Sequence, residues 1–557
     1  MTLRGPRLGT TAIACGAVAV AALSIAPVVY LFVTGISFGD LADELGYEAT
    51  TSAALQTVQL VLVVTVLTVV LGVLAALLVA RTSIAFPRAW TVLLALPLAV
   101  PGFVSSYAVF AAELVYAPSL TWVTSFFGAS LVLALSLYPY VFLPCVVALR
   151  TVDPAQEEMV ANLRPRWTSR FWHVTLPALR PALAAGVLIV ALHVLAEYGA
   201  MVQLGRSTLT TKVMAEMLDY GDYQSARSLS LLLAGLSILV LFGTRLISRS
   251  GTALHGARGL DRPPARLQLG RWHLPVMVVA LSVPLLALGP TLVMTARGLT
   301  NTGRTVTTDW GQVGSALGST AGYALAAAAI ATAVAFPVSW WVGRRPSLRS
   351  VLTERAVWVA HAIPSAILAL ALVYLATRLA PSLYKMPVVL VAAYVILFLP
   401  LAVGYQRVGL EASRQLYDDV AASLGSRPAR TFARVTLPLA LPGFVAGAIL
   451  VGLDASKELT TTLMLIPFNS QTLSTQLWAT TNGEALDFTA AAPYAAMLVL
   501  LGAVPVALLV RNALRSADPT RADSARGAPV RVDPILAEAG AITWSVDDDV
   551  DTMTDPC

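Results

Sequence analysis

The chain has 557 residues, a mean hydropathy of +0.74, 57% hydrophobic residues and only 12% charged ones. That balance excludes an ordinary soluble globular protein, and apolar runs long enough to cross a bilayer, roughly 20 residues each, recur from end to end. The net charge of +6 comes almost entirely from arginine, and Cys15, Cys145 and Cys557 are too few and too scattered for a disulfide framework or a thiolate metal site.

In chain order the first half is expected to contain six spans, at Thr11–Val33, Ala53–Ala80, Ala89–Glu113, Gly128–Leu149, Pro181–Gly199 and Ser228–Leu246. The second half gives Leu274–Ala296, Ser315–Val342, Ala356–Leu379, Pro387–Gln406, Leu441–Leu463 and Ala490–Val510. Thr11–Val33 lacks a small-residue cleavage site and is read as a retained helix. Pro97, Pro101 and Pro364 are read as helix benders rather than chemistry. Placing both termini in the cytoplasm puts roughly 29 of the 37 Lys and Arg residues inside, as the positive-inside rule asks. The first outer loop is acidic instead, with Asp40, Asp43, Glu44 and Glu48.

The chain also repeats itself. Val174-Thr-Leu-Pro177 returns as Val435-Thr-Leu-Pro438, Phe142-Leu-Pro144 as Phe398-Leu-Pro400, and Val100-Pro101 as Ile363-Pro364. Three anchors in one order and at nearly one offset indicate a tandem duplication of a six-span unit, both copies inserted the same way up. The expected fold class is therefore an all-α polytopic membrane protein of about 12 transmembrane helices in two tandem six-helix units. Its parts are 1–247, a cytoplasmic linker at 248–271, 272–511, and a polar, acidic tail at 512–557 read as disordered.

Each copy of Val-Thr-Leu-Pro closes a polar, Arg-rich insert between apolar runs. In the first insert (153–177), Asp153 suits an N-cap and Pro154 the first helical position, giving a helix to about Leu163, stopped by Arg164-Pro165. In the second (417–438), Asp418–Leu424 is expected to be helical, Gly425 to supply a left-handed stop, and Ser426 to cap a second short helix through Phe432. The alternative for each is a plain basic loop. Two matched inserts read better as two rigid knobs on the cytoplasmic face.

The second insert, Asp419-Val-Ala-Ala-Ser-Leu-Gly425 followed by Val-Thr-Leu-Pro438, resembles the Glu-Ala-Ala…Gly…Leu-Pro loop of ABC importer permeases. Asp419 stands at the Glu position, Ala421 at the second Ala and Gly425 at the Gly. In the first insert Glu158 keeps the acid and Ala161 follows, but Met159 and Val160 replace both Ala residues and Arg164 replaces Gly. The duplicated layout, with Asp454-Ala-Ser-Lys-Glu-Leu-Thr-Thr-Thr-Leu463 and Pro467-Phe468, is similar to the fused permeases of the ferric-iron import group. Thiamine permeases share that layout.

The resemblance implies the type I (MetI-like) importer permease fold in a bacterial inner membrane. It also implies an extracytoplasmic binding protein delivering ferric iron, and coupling of Glu158, Ala161, Arg164, Pro177, Asp419, Ala421, Gly425 and Pro438 to a cytoplasmic ATPase dimer. A phosphate-cradling loop needs Lys followed by Ser or Thr. Lys212, Lys385 and Lys457 are followed by Val, Met and Glu, so ATP and magnesium are expected on a separate subunit. The chain is read as a transport subunit rather than an enzyme, with no cofactor and no nucleic-acid partner.

Glu197 and Glu458 lie 261 residues apart, the offset of the Val-Thr-Leu-Pro pair, and His193 and Asp454 are matched one turn earlier. An acid inside a membrane segment costs roughly 2.5–3.5 kcal/mol on insertion scales, so it normally faces a water-filled cavity or a partner. These four are candidates for lining a cation path, with no metal ligand assigned. The alternative pairs Glu458 with Lys457 and leaves Glu197 at the interface with its head in water. Thr208–Asp219 and Ser470–Asn482 read as surface or re-entrant helices, or as plain loops. The rival from another class is an ion-coupled secondary transporter using the same two glutamates.

Overall fold

A computed structural model describes residues 7–35, 38–150, 152, 159–160, 169, 171–249, 267–300, 309–413, 415–482 and 488–516. Glu158, Ala161 and Arg164, the expected cap Asp153 and first helical residue Pro154, most of the linker and nearly all of the tail lie outside the described residues. Among those described, regular structure is helical, apart from one isolated bridge between Thr82 and Leu267. Among the described residues nine helices are long and apolar enough to span a membrane, and up to twelve spans result when three bent pairs each count once. These pairs fall at the expected spans Ala89–Glu113, Gly128–Leu149 and Ala356–Leu379.

Proline explains the sharpest bends. Pro87–Ala99 and Gly102–Tyr116 meet at 89°, and Leu348–Ala362 and Ser365–Leu379 at 96°. The residue before proline is pushed out of the helical region. Val100 and Ile363 accordingly take φ −95°, ψ 124° and φ −82°, ψ 127°. Pro101 and Pro364 follow in extended backbone at φ −58° and −53°. Two extended residues in succession turn the chain through a near right angle. The third pair, Phe126–Leu137 and Pro139–Arg150, bends by only 44°, while its counterpart Pro387–Ala412 runs through Pro400 as one helix.

The repeated Val-Thr-Leu-Pro also acquires a structural reason. In both copies a five-residue π turn, Phe171–Thr175 and Phe432–Thr436, runs directly into a long helix, Leu176–Ala196 and Leu437–Lys457. Pro177 and Pro438 are the second residues of those helices and have no N–H to return to the preceding turn. A wide turn at that point accommodates the missing bond. Both helices end at Ala196 and Lys457, short of the expected Gly199 and Leu463, because Glu197 and Glu458 leave the helix in extended conformation (ψ 115° and 123°).

Short helices follow each break, at Gly199–Gln203 and Thr460–Leu465, and then Leu209–Leu218 and Leu473–Thr481. The last two replace the plain-loop alternative. Each opens with a capping box, Thr208 with Thr211 and Thr472 with Thr475. Each is pinned alike to a long span, the Leu209 amide donating to Thr57 Oγ1 at 3.0 Å and the Leu473 amide to Thr320 Oγ1 at 2.9 Å.

The two halves share a core. Val100, Phe103, Val104 and Tyr107 pack with Leu459, Leu473, Leu477, Trp478 and Tyr494. Gln203 donates across to Thr481 Oγ1 at 3.1 Å. Small residues permit the closest helix approaches: a Cβ on Gly443 would lie 2.8 Å from Gly409 Cα, so helices 387–412 and 437–457 touch backbone to backbone.

Candidate functional site: an acidic cavity between the halves and an exposed knob

The breaks converge on one cavity of about 160 Å³. Its lining includes Gly102, His193 and Glu197 from the first half and Ser365, Asp454 and Glu458 from the second. All four path candidates read from the sequence therefore face one space. Broken backbone is tolerated at membrane depth where it lines such a space and its polar groups find partners. Here they do: Lys457 Nζ donates to the Leu98 carbonyl at 3.4 Å and Thr461 Oγ1 to the Ser365 carbonyl at 3.4 Å, while His361 Nδ1 lies 2.5 Å from the Leu397 carbonyl of the unbroken helix 387–412.

The glutamates hold matched positions. Glu197 Oε1 accepts the Ala200 amide at 3.0 Å, and Glu458 Oε1 accepts the Thr461 amide at 2.8 Å. Each carboxylate thus caps the first turn of the short helix that follows it, where backbone N–H groups lack helical partners. Each also lies by the first residue after the bend in its own half's broken span. A Cβ on Gly102 would sit 3.1 Å from Glu197 Oε2, and Ser365, the residue matching Gly102, lines the cavity with Glu458.

One alternative from the sequence is corrected. Lys457 pairs with Asp454 (Nζ to Oδ1 2.9 Å), not with Glu458, because residues three apart on a helix share a face while Glu458 has already left it. Glu197 lines the cavity. The cavity is not symmetric: His193 stands opposite Asp454 in the repeat and Ala196 opposite Lys457. Three carboxylates meet one lysine there. Among the described residues no three His, Cys, Asp or Glu side chains converge tightly enough to hold a metal ion. Sequence reasoning assigned no role to His361 or Tyr140. Tyr140 stacks at 4.6 Å on His193, and neither carries a motif that would have flagged it.

The second insert folds as a knob. Its helix runs Gln415–Ser423 and stops at Gly425 with φ +79°, the Gly425 amide donating to the Ala422 carbonyl and the Ser426 amide to the Ala421 carbonyl. Those two bonds are the glycine-terminated helix stop expected from the sequence. Ser426 is not the next cap. The following helix is Pro428–Thr431 with Arg427 at the cap position, and Ser426 Oγ accepts from Thr431 Oγ1 at 3.0 Å. Proline suits that first helical position and displaces the boundary by one residue. Leu416, Val420 and Leu424, spaced one turn apart on one face, are all exposed, Leu424 by 81%, with Tyr417 and Asp419 exposed beside them. An apolar ridge on an exposed knob marks a surface for a partner.

Residues 68–250 and 335–517 both match the family described as binding-protein-dependent transport system inner membrane component. The chain belongs to that family: it is an inner-membrane permease of the ABC importer class, with two copies of the family domain in one polypeptide. It is 32% identical to the Fe(3+)-transport system permease protein FbpB 2 of Haemophilus influenzae over 454 residues, 80% of this chain and 87% of that one. A molybdenum transport system permease protein, ModB of Mycobacterium tuberculosis, is 31% identical over 33% of this chain and 74% of its own. The sulfate transport system permease protein CysT of Escherichia coli is 29% identical over 24% of this chain and 50% of its own.

Proposed function

We propose that this chain is the membrane-spanning subunit of a ferric-iron importer, receiving its cargo from an extracytoplasmic binding protein and its energy from a separate cytoplasmic ATPase dimer. The observation that carries the cargo assignment is the similarity to an iron(III) permease along four-fifths of the chain. The cavity supports it, since three carboxylates against one lysine favour a cation, and oxygen donors suit a hard one. The molybdenum and sulfate permeases raise an oxyanion cargo, but they match no more than a third of the chain, and the cavity's charge disfavours an anion.

The knob Gln415–Ser423 docks on the ATPase through Leu416, Val420 and Leu424, with Asp419 and Gly425 setting its edge and its end. The first insert, carrying Glu158, Ala161 and Arg164, makes the second and unequal contact. Both knobs and both termini face the cytoplasm, in keeping with the arginine distribution. ATP-driven closure of the ATPase dimer draws the knobs together and swings the spans around the cavity. Glu197, Glu458, His193 and Asp454 then line the path of the released cation.

Uptake into proteoliposomes holding the chain with its cognate ATPase and binding protein tests this. ATP-dependent uptake of labelled iron is expected. Uptake of thiamine or molybdate without iron overturns the cargo, and uptake that persists without ATP but collapses with the proton gradient overturns the class.

A further inference from the structure

The knob helix has an inner side as well as a docking side, and one carboxylate on it joins four segments. Asp418 Oδ2 lies 3.1 Å from Arg344 Nη1, and Asp418 Oδ1 accepts from Thr436 Oγ1 at 2.8 Å. Arg344 is the last residue of the long helix Trp310–Arg344, and its side chain is only 7% exposed. Its Nη2 donates to Ser413 Oγ at 3.2 Å, just beyond the helix Pro387–Ala412, and its guanidinium stacks 5.3 Å from the Trp340 ring. Thr436 is fully buried and ends the π turn that leads into Leu437–Lys457. Phe432, which opens that turn, wedges between Phe336 and Trp340 at 5.5 Å from each.

The consequences are mechanical. A charge-assisted bond to a buried guanidinium is short, directional and costly to break, because the arginine cannot lose its charge and has little water to turn to. Helix 437–457, with Pro442 inside it, runs unbroken for about 30 Å by its length. Thr436 adjoins one end of it, and the cavity residues Asp454, Lys457 and Glu458 stand at or just past the other. A push on the knob that is held at Asp418 therefore reaches the cavity along one continuous helix. Asp419, the neighbouring acid, is exposed. The repeat carries the same residue types, with Arg81 and Thr175 at the matching positions and Glu157 at that of Asp418. Arg81 and Thr175 are buried like their counterparts, and Glu157 lies outside the described residues.

We propose that Asp418 is the positioning residue that fastens the knob to helices 310–344 and 437–457, so that it sets how much transport each ATP hydrolysed yields rather than whether the ATPase binds. This rests on the knob's docking role proposed above. The test uses the complete complex in proteoliposomes and reads cargo transported per ATP hydrolysed, alongside co-purification of the ATPase. Asp418→Asn keeps the side chain's shape and its acceptor for Thr436 but removes the charge. It is expected to keep the ATPase bound and its turnover within twofold, and to lower cargo per ATP at least tenfold. Asp418→Glu should recover at least a third of the wild-type ratio, and Thr436→Val, which removes only the lesser bond, should fall between. The KM for cargo-loaded binding protein should stay within twofold in all three, because that protein meets the opposite face.

An unchanged ratio in Asp418→Asn overturns the proposal. So does loss of ATPase binding in step with transport, which makes Asp418 a folding or docking residue only. Where Asp418→Asn fails to assemble, Thr436→Val decides alone, and a wild-type ratio in that variant overturns the proposal. Failure of the unaltered chain to engage any ATPase overturns the docking role itself, a result distinct from both.

Discussion

Lys457 turns back one helical turn to Asp454, with Nζ 2.9 Å from Oδ1, and leaves its sequence neighbour Glu458 to cap the next short helix. That geometry divides the cavity's acids into two kinds. Asp454 is neutralised by a tethered cation, whereas Glu197 and Glu458 hold backbone amides at the two breaks.

The division makes the glutamates separable by substitution. Gln keeps an acceptor oxygen for the capped amide but carries no charge; Ala removes both. Glu458→Gln, alone or with Glu197→Gln, should leave thermal stability nearly unchanged and reduce cation uptake several-fold. Glu458→Ala should also cost about 1 kcal/mol of stability, the usual loss for a helix cap. Thermal unfolding in detergent and uptake in proteoliposomes check both; unchanged flux in the double Gln variant makes the pair purely structural.

The ion pair gives a second expectation. Lys457→Met leaves Asp454 facing a cavity without its partner, and the two side chains are only 13% and 17% exposed. The loss should lie toward the lower end of the roughly 3–5 kcal/mol seen when one partner of a buried pair is removed. The Lys457→Met/Asp454→Asn double variant should regain most of it. Melting temperatures of the two singles and the double form the cycle that measures the coupling.

Gly425 supplies a third. At φ +79°, Gly425→Ala should cost about 1–2 kcal/mol locally, through contact of its Cβ with backbone. Gly425→Pro cannot adopt that angle and loses the amide bond to Ala422. Membrane insertion should be unaffected in both, since the knob lies outside the spans, while coupling of hydrolysis to transport should weaken in Ala and fail in Pro. Asp419→Lys should uncouple similarly by reversing charge on the docking face. Normal coupling in Gly425→Pro and Asp419→Lys together would count against the knob as a docking element.

Much of this was legible in the residues, for physical reasons that can be named. Proline marks backbone breaks through local sterics, so Pro101 and Pro364 announced both kinks, although the near right angles depend on two successive extended residues that no periodicity reveals. Gly425 announced its left-handed stop because that conformation is local to one residue. The duplication paired Glu197 with Glu458 before any coordinate did, and the cavity brought them together. Contacts set by tertiary structure stayed hidden. Arg344 and Asp418 are far apart in the chain, and nothing in the sequence shows that Asp418 faces inward while Asp419 faces out. Ser426 misled because a serine before a short polar run is a good cap in isolation, yet Pro428 takes the first helical position more firmly.

The central claim is that a separate motor pushes on the knob from the cytoplasmic side. Cysteine placed at Leu424, the most exposed point of the apolar ridge, tests it most directly in the assembled complex, in a background with the native cysteines replaced. The account predicts that a short bifunctional reagent joins Leu424→Cys to a nucleotide-hydrolysing subunit, and that a membrane-impermeant thiol reagent added outside intact cells does not label it. Labelling from outside, or a cross-link to no such subunit, contradicts the account.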